Sequence, residues 1–202
     1  MIIILCEGQT EERFVKEIIS EKFNCVQPKI IMTRSGKEGG SVTYDSFIDQ
    51  CKKHLKNKQV DLLITMFDFA GLPKSWFNNS YSDKCPKKLN ERIKKDLKDE
   101  RIFPVWMMHE FEIIAFINTN ITCDVIGNDK YKSALDNVIK NCNHDPEKIN
   151  DNNYPSHRLK NIYNEYQKII DGISIAKKLG IEKLCETNSF KRLFDKLKEI
   201  KC

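Results

Sequence analysis

The hydrophobic positions along the chain change period several times, and each change marks an element. Residues 2–6, IIILC, form a short unbroken apolar run, the pattern of a strand buried on both faces. In the following TEERFVKEIISEKF, Phe14, Ile18 and Ile19 fall near one helical face with Val15 beside them. Thr10 is placed to cap this helix, and Glu11 and Glu12 suit the positive end of its dipole. PKIIMT, residues 28–33, predicts a second strand, and SGKEGGS a flexible glycine-rich loop. VTYDSFIDQCKKHLK predicts a helix with Tyr44, Phe47, Ile48 and Cys51 facing inward. VDLLITMF, residues 60–67, is the strongest strand pattern, and it ends on Asp68 before FAGLP, whose glycine and proline break the chain. A loop through KSWFNNSYSDKCP leads to the helix KKLNERIKKDLKDE. RIFPVWMM then forms a fourth strand that delivers His109, Glu110 and Glu112 into the helix EFEIIAFI. Strands alternating with helices predict an α/β protein with a mostly parallel four-strand core sheet flanked by helices.

After residue 118 the pattern turns polar and asparagine-rich, with prolines and one short helix at KYKSALDNVIKN. Helical patterns return at SHRLKNIYNEYQKI, SIAKKLG and SFKRLFDKLKEI, where Leu193, Phe194, Leu197 and Ile200 make a buried stripe. The expected organisation is an α/β core over residues 1–118 and a helical and loop elaboration over 119–202, packed as one compact domain.

Composition narrows the setting. No apolar run reaches the roughly 20 residues needed to cross a bilayer, and MIIILCEGQ turns acidic too soon for a signal peptide. A cytoplasmic protein with no membrane association is the expectation. The eight cysteines are scattered singly, without a C-x-x-C pair, which suggests reduced thiols that serve packing. Cys142, His144 and Asp145 are the nearest approach to a zinc cluster, but no second pair with suitable spacing accompanies them. The net charge of +5 is modest. Basic runs such as CPKKLNERIKKDLKDER read either as phosphate-binding surfaces or as solvated helix faces.

The chemistry suggested by the sequence lies at the strand ends. In a parallel sheet, ligands gather outside the carboxyl ends of the strands. Three of the four expected strands end in acid: Glu7 after the first, Asp68 after the third, and Glu110 and Glu112 after the fourth. Gathered at one rim, such carboxylates repel unless a cation offsets them, and an all-oxygen set favours Mg²⁺ or Mn²⁺. The alternative for any one of them is a helix cap or a loop acid. In a regular helix Glu110 and Glu112 diverge by roughly 200°, so one of them faces the site, and Glu110 is the choice. His109 leaves an apolar strand, where a hydrogen-bonded core histidine competes with a metal ligand or proton shuttle. In PSHRLKNIY, Arg158 offers a planar fork for a phosphate, with Lys160, Lys168 and Lys177 as further cations and a helix start with solvated charges as the other reading. Gly36, Gly39 and Gly40 lack the P-loop arrangement, so no nucleotide triphosphate site is expected.

EGQTEERFV, D-x-x-G-L-P, HEFE, PSHRL and Y-x-K-x-x-x-G, in this order from residue 4 to about 190, resemble a bacterial and archaeal family described only as a domain of unknown function and related to TOPRIM domains. The resemblance implies a TOPRIM-like core in which Glu7 acts as general acid or base or helps bind metal. TOPRIM nucleases carry a D-x-D pair after the third strand, whereas here Asp68 is followed by Phe69 and Ala70. Either Glu110 or Glu112 supplies the second acid, or the metal site is incomplete. The resemblance thus implies a Mg²⁺- or Mn²⁺-dependent nuclease or phosphodiesterase acting on DNA or RNA, with catalytic Glu7, Asp68, His109 and Arg158 and metal ligands Glu7, Asp68, Glu110 and Glu112. Arg158, Lys160 and Lys168 would bind phosphate. The family is also similar to subunits encoded beside ABC- or OLD-type ATPases in anti-phage abortive-infection systems, which gives the alternative of a non-catalytic subunit of an ATPase complex.

Overall fold

The computed structural model describes residues 1–32, 36, 39, 42–77, 80, 84–149 and 154–200. Parts of the SGKEGGS and KSWFNNSYSDKCP loops, Gly40 among them, and the NDNN stretch lie outside the described residues. The chain forms two compact units, Met1–Trp106 and Met107–Lys201. The division falls earlier than the change in composition at residue 118. The reason is that the HEFE segment packs with later helices: Phe111 meets Phe190 edge-on at 6.1 Å.

In the first unit, β1 (Ile2–Cys6) and β3 (Leu62–Asp68) are central strands, with β2 (Val26–Ile30) and β4 (Ile102–Met107) outside them in the order β2-β1-β3-β4. The sheet is all parallel, the four-strand core expected of a TOPRIM-like α/β protein. Every residue of β1 is buried, as its unbroken apolar run requires. β2 alternates between inside and outside and begins before Pro28, since an edge strand tolerates the missing amide hydrogen. The order carries a functional consequence. The chain leaves β1 towards β2 on one side and returns to β3 on the other, so the strand order reverses between β1 and β3. That reversal is the crevice where open α/β sheets bind ligands.

Helix α1 (Gln9–Phe14) continues through a π-helical turn at Val15–Ile19 into α2 (Ser20–Lys22). Helices α3 (Tyr44–Leu55) and α4 (Pro86–Leu97) pack against each other. An aromatic cluster joins this layer to β3: Phe47 lies edge-on to Phe67 at 5.5 Å and 4.8 Å from Trp76. The Trp76 indole donates to the Val42 carbonyl at 2.9 Å, which satisfies its one polar atom in a buried position.

In the second unit, a 3-10 turn at Phe111–Ile113 leads into α5 (Ile114–Ile117) and α6 (Thr119–Ile126). Helix α6 occupies a stretch whose polarity predicts loop. Its start is set by the Asn118 side chain, which accepts from the Ile121 amide at 3.1 Å, and its end by Gly127 at φ 67°. Helices α7 (Lys132–Asn141), α8 (Pro155–Ile162), α9 (Lys168–Leu184) and α10 (Asn188–Lys198) follow. The helix expected from Ser156 to Ile169 is two, with an extended Tyr163 breaking it, and α9 takes in the expected SIAKKLG helix. Helix α10 buries Leu193, Phe194 and Leu197 as its spacing predicts.

Cys6, Cys51, Cys85, Cys123 and Cys142 are free thiols, whereas Cys25 is disulfide-bonded, a departure from the expectation of reduced thiols throughout. Among the described residues, no helix is long and apolar enough to cross a membrane.

Truncating Phe47, which is fully buried among Tyr44, Phe67 and Trp76, removes the centre of the aromatic cluster. Phe47→Ala is expected to destabilise the first unit by about 3–5 kcal/mol. Urea unfolding followed by tryptophan fluorescence measures this, and a midpoint equal to the parent's contradicts the packing described.

Candidate functional site

The sharp turn after β1 has a local cause. Gly8 is the N-cap of α1, and the Glu11 carboxylate reaches back to accept the Gly8 amide at 3.0 Å. This corrects the expectation for Thr10, which lies buried inside the first turn while Glu11 performs the capping. Helix α1 therefore starts two residues beyond Glu7 and holds it at the strand's carboxyl end.

Across the crevice, β3 ends on Asp68. The Glu7 amide donates to the Met66 carbonyl at 3.2 Å, one rung beyond the Cys6–Met66 pair. In a regular parallel ladder the next bond would run from the Asp68 amide to the Glu7 carbonyl. Here the Asp68 amide donates to Glu7 Oε2 at 2.9 Å. A side chain thus takes a place in the ladder, which fixes the orientation of the Glu7 carboxylate beside Asp68. Glu7 also lines a cavity of about 140 Å³ with Phe67, Leu72 and Trp76.

Two further groups close on this turn. A Cβ on Gly39 would lie 3.1 Å from the Glu7 carbonyl oxygen, and Gly39 sits at φ +74°, so a glycine is required both for space and for conformation. Lys84 donates to the Ala70 carbonyl at 2.7 Å and stands 5.8 Å from the ring centres of Phe69 and Phe77. It thereby holds the loop that follows Asp68, and burial lowers its pKa. Nothing in the pattern of residues marks Lys84, because its partner is a backbone carbonyl reached across a long loop.

The later candidates belong to the second unit. The three motifs HEFE, PSHRL and Y-x-K-x-x-x-G interlock there. Glu110 is extended rather than helical, and its Oε2 accepts the Ser156 amide at 2.8 Å at the start of α8. The Glu112 carboxylate is buried and paired with Lys168 at 3.1 Å. Tyr166, also buried, places its hydroxyl where a Cβ on Gly172 would lie 3.0 Å away. The expectation that Glu110 and Glu112 share one regular helix gives way to an extended residue followed by a 3-10 turn, in which each acid has its own partner.

His109 Nε2 lies 2.8 Å from the Glu147 carbonyl oxygen; since that oxygen only accepts, Nε2 carries the hydrogen. The Glu147 carboxylate in turn accepts the amides of Asn188 and Ser189 at 2.9 and 2.8 Å, capping α10. His109 thus anchors a structural turn. Arg158 is half-buried in α8, while Lys160 in the same helix and Lys177 in α9 are exposed. His144 is exposed, and Asp145 caps the Pro146–Lys148 turn through the Glu147 amide at 3.0 Å. Within either unit, among the described residues, no three His, Cys, Asp or Glu side chains form a group able to hold a metal ion by themselves.

Glu7 and Asp68 offer only oxygen, the donor type that Mg²⁺ and Mn²⁺ take, and Mg²⁺ commonly uses one or two carboxylates, completing its shell with water and substrate phosphate. The class defined by this fold and site is an all-parallel α/β protein with two carboxylates at the switch point of its sheet. The chain belongs to the family described as a domain of unknown function (DUF4276), whose model matches residues 6–198. No curated protein and no solved structure matches it.

The buried Glu112 generates a pH prediction. Burial raises its pKa above the usual 4.5, Lys168 partly opposes this, and Glu110 adds to it. Above 4.5 the unfolded chain loses this proton before the folded chain does, so the contribution of Glu112 to stability declines as pH rises through the raised pKa. Glu112→Gln should flatten that decline in urea unfolding measured from about pH 4 to about pH 8. An unchanged slope would show that the burial of Glu112 carries no such cost.

Proposed function

We propose that this protein is a divalent-metal-dependent phosphodiesterase acting on nucleic acid, a nuclease of TOPRIM type. The observation that carries the reading is the bond from the Asp68 amide to Glu7 Oε2 at 2.9 Å, which holds the Glu7 carboxylate against the backbone that presents Asp68, at the switch point of a parallel sheet. Glu7 and Asp68 would hold Mg²⁺ or Mn²⁺, and such an ion, when bound, offsets charge on the phosphodiester and lowers the pKa of water. The chain's own part is orientation and proton handling. The Asp68 amide keeps the Glu7 carboxylate turned to one side. In this reading that carboxylate accepts a proton from an attacking water or returns one to the leaving oxygen. The Lys84 bond to the Ala70 carbonyl fixes the loop that follows Asp68 at the end of β3.

A second reading is a non-catalytic subunit of an ATPase complex, such as a defence system uses. What favours it is the absence of the second D-x-D acid, since Phe69 and Ala70 follow Asp68, together with the internal pairing of Glu110 and Glu112.

Cleavage of single-stranded and duplex DNA and RNA in Mg²⁺ or Mn²⁺ separates the two. The catalytic reading expects cleavage that falls at least about 100-fold in Glu7→Gln and in Asp68→Asn, with circular dichroism unchanged. Activity retained in both variants overturns it. No cleavage with any divalent metal, together with stable co-purification with an ATPase, selects the second reading.

A further inference from the structure

The positive charge of the chain is unevenly placed. Helix α4 carries Lys87, Lys88, Arg92, Lys94 and Lys95 against Glu91 and Asp96, a net +3 in a chain whose total is +5. Lys88, Arg92 and Lys95 are spaced i, i+4 and i+7, so they share one helical face. That face lines a groove of about 510 Å³ together with Trp76 and Phe77.

The groove is built around a fixed cation. The Arg92 guanidinium lies 3.8 Å from the centre of the Tyr44 ring and donates to the Trp76 carbonyl at 2.9 Å. The acid nearest it, Asp96, is already engaged: it accepts the Tyr44 hydroxyl at 2.8 Å and lies 3.8 Å from Arg92 Nε. The exposed Lys88 and Lys95 stand at the groove's mouth, and the exposed Glu91 is the other acid that lines it. Trp76 lines both this groove and the smaller cavity that contains Glu7. Both hollows belong to the first unit, which also carries Glu7 and Asp68.

We propose that the Lys88, Arg92 and Lys95 face of α4 is the docking surface for the phosphodiester backbone of the nucleic acid strand on which Glu7 and Asp68 would act. The inference rests on the nucleic-acid reading above and names the surface that would hold the substrate. Lys88 and Lys95 act as exposed point charges on successive phosphates, while Arg92 is held in place by its stacking and its bond to the Trp76 carbonyl. Because Trp76 and Phe77 are buried, the bases would contribute little by stacking, and binding would be governed by charge.

The test is fluorescence anisotropy with labelled single-stranded DNA and RNA of one sequence, in EDTA, across a series of salt concentrations. Lys88→Gln/Lys95→Gln is expected to weaken binding and to reduce the slope of log K against log salt by about 1.4, at about 0.7 for each phosphate no longer neutralised. The control Lys52→Gln/Lys53→Gln, with the same charge change on exposed positions of α3, should leave the slope unchanged. Equal effects from both pairs, no effect from the α4 pair, or no binding by the parent protein overturns the proposal. Equal competition by a polyaspartate of matched charge also overturns it, since that would mark the face as a site for acidic protein. Binding that depends on α4 without cleavage under any metal leaves this surface standing and removes the catalytic reading. Cleavage indifferent to the α4 pair does the reverse.

Discussion

The bond between the Asp68 amide and the Glu7 carboxylate is the constraint on which the candidate site depends. Central parallel strands normally complete their ladder with backbone groups alone. At the carboxyl ends of β1 and β3 a side chain takes over the last rung, and this couples the position of one acid to the backbone that presents the other. That amide gives one oxygen of the Glu7 carboxylate a fixed hydrogen-bond partner at the rim of the sheet. The arrangement needs Gly8 and Glu11 to start α1 at once, and Gly39 to let the loop backbone approach the Glu7 carbonyl.

The second unit shows how similar residues can serve a different end. Glu110, Glu112 and Lys168 look equally fit for metal or phosphate when read as letters. In the fold, Glu110 fastens the start of α8, Glu112 and Lys168 form a pair with one partner buried, and Tyr166 fills the space left by Gly172. Three sequence motifs thus become one packing solution, in which charges taken out of water are matched by partners. His109 and Glu147 extend the same logic to α10.

Much of this was legible in the sequence, for identifiable reasons. The run IIILC and the strand ending at Asp68 disclosed a buried parallel sheet because strands covered on both faces need no polar alternation. Glu7 and Asp68 were legible because acids directly after such strands stand out. The partners of Glu110, Glu112 and His109 were not, since each is set by long-range packing between segments with no mutual spacing rule. Helix α6 was hidden by its polar composition, although Asn118 and Gly127 carried its start and stop signals. The break at Tyr163 was hidden because the helical pattern runs across it. Lys84 left no trace, as lysines that bind carbonyls look like any surface lysine.

The central claim is that Glu7 and Asp68 jointly hold one divalent ion, and Mn²⁺ binding followed by electron paramagnetic resonance tests it without relying on cleavage. The account predicts one bound Mn²⁺ per chain in the parent protein and loss of that signal in either Glu7→Gln or Asp68→Asn. Binding that persists undiminished in both variants, or no binding in the parent, would contradict it.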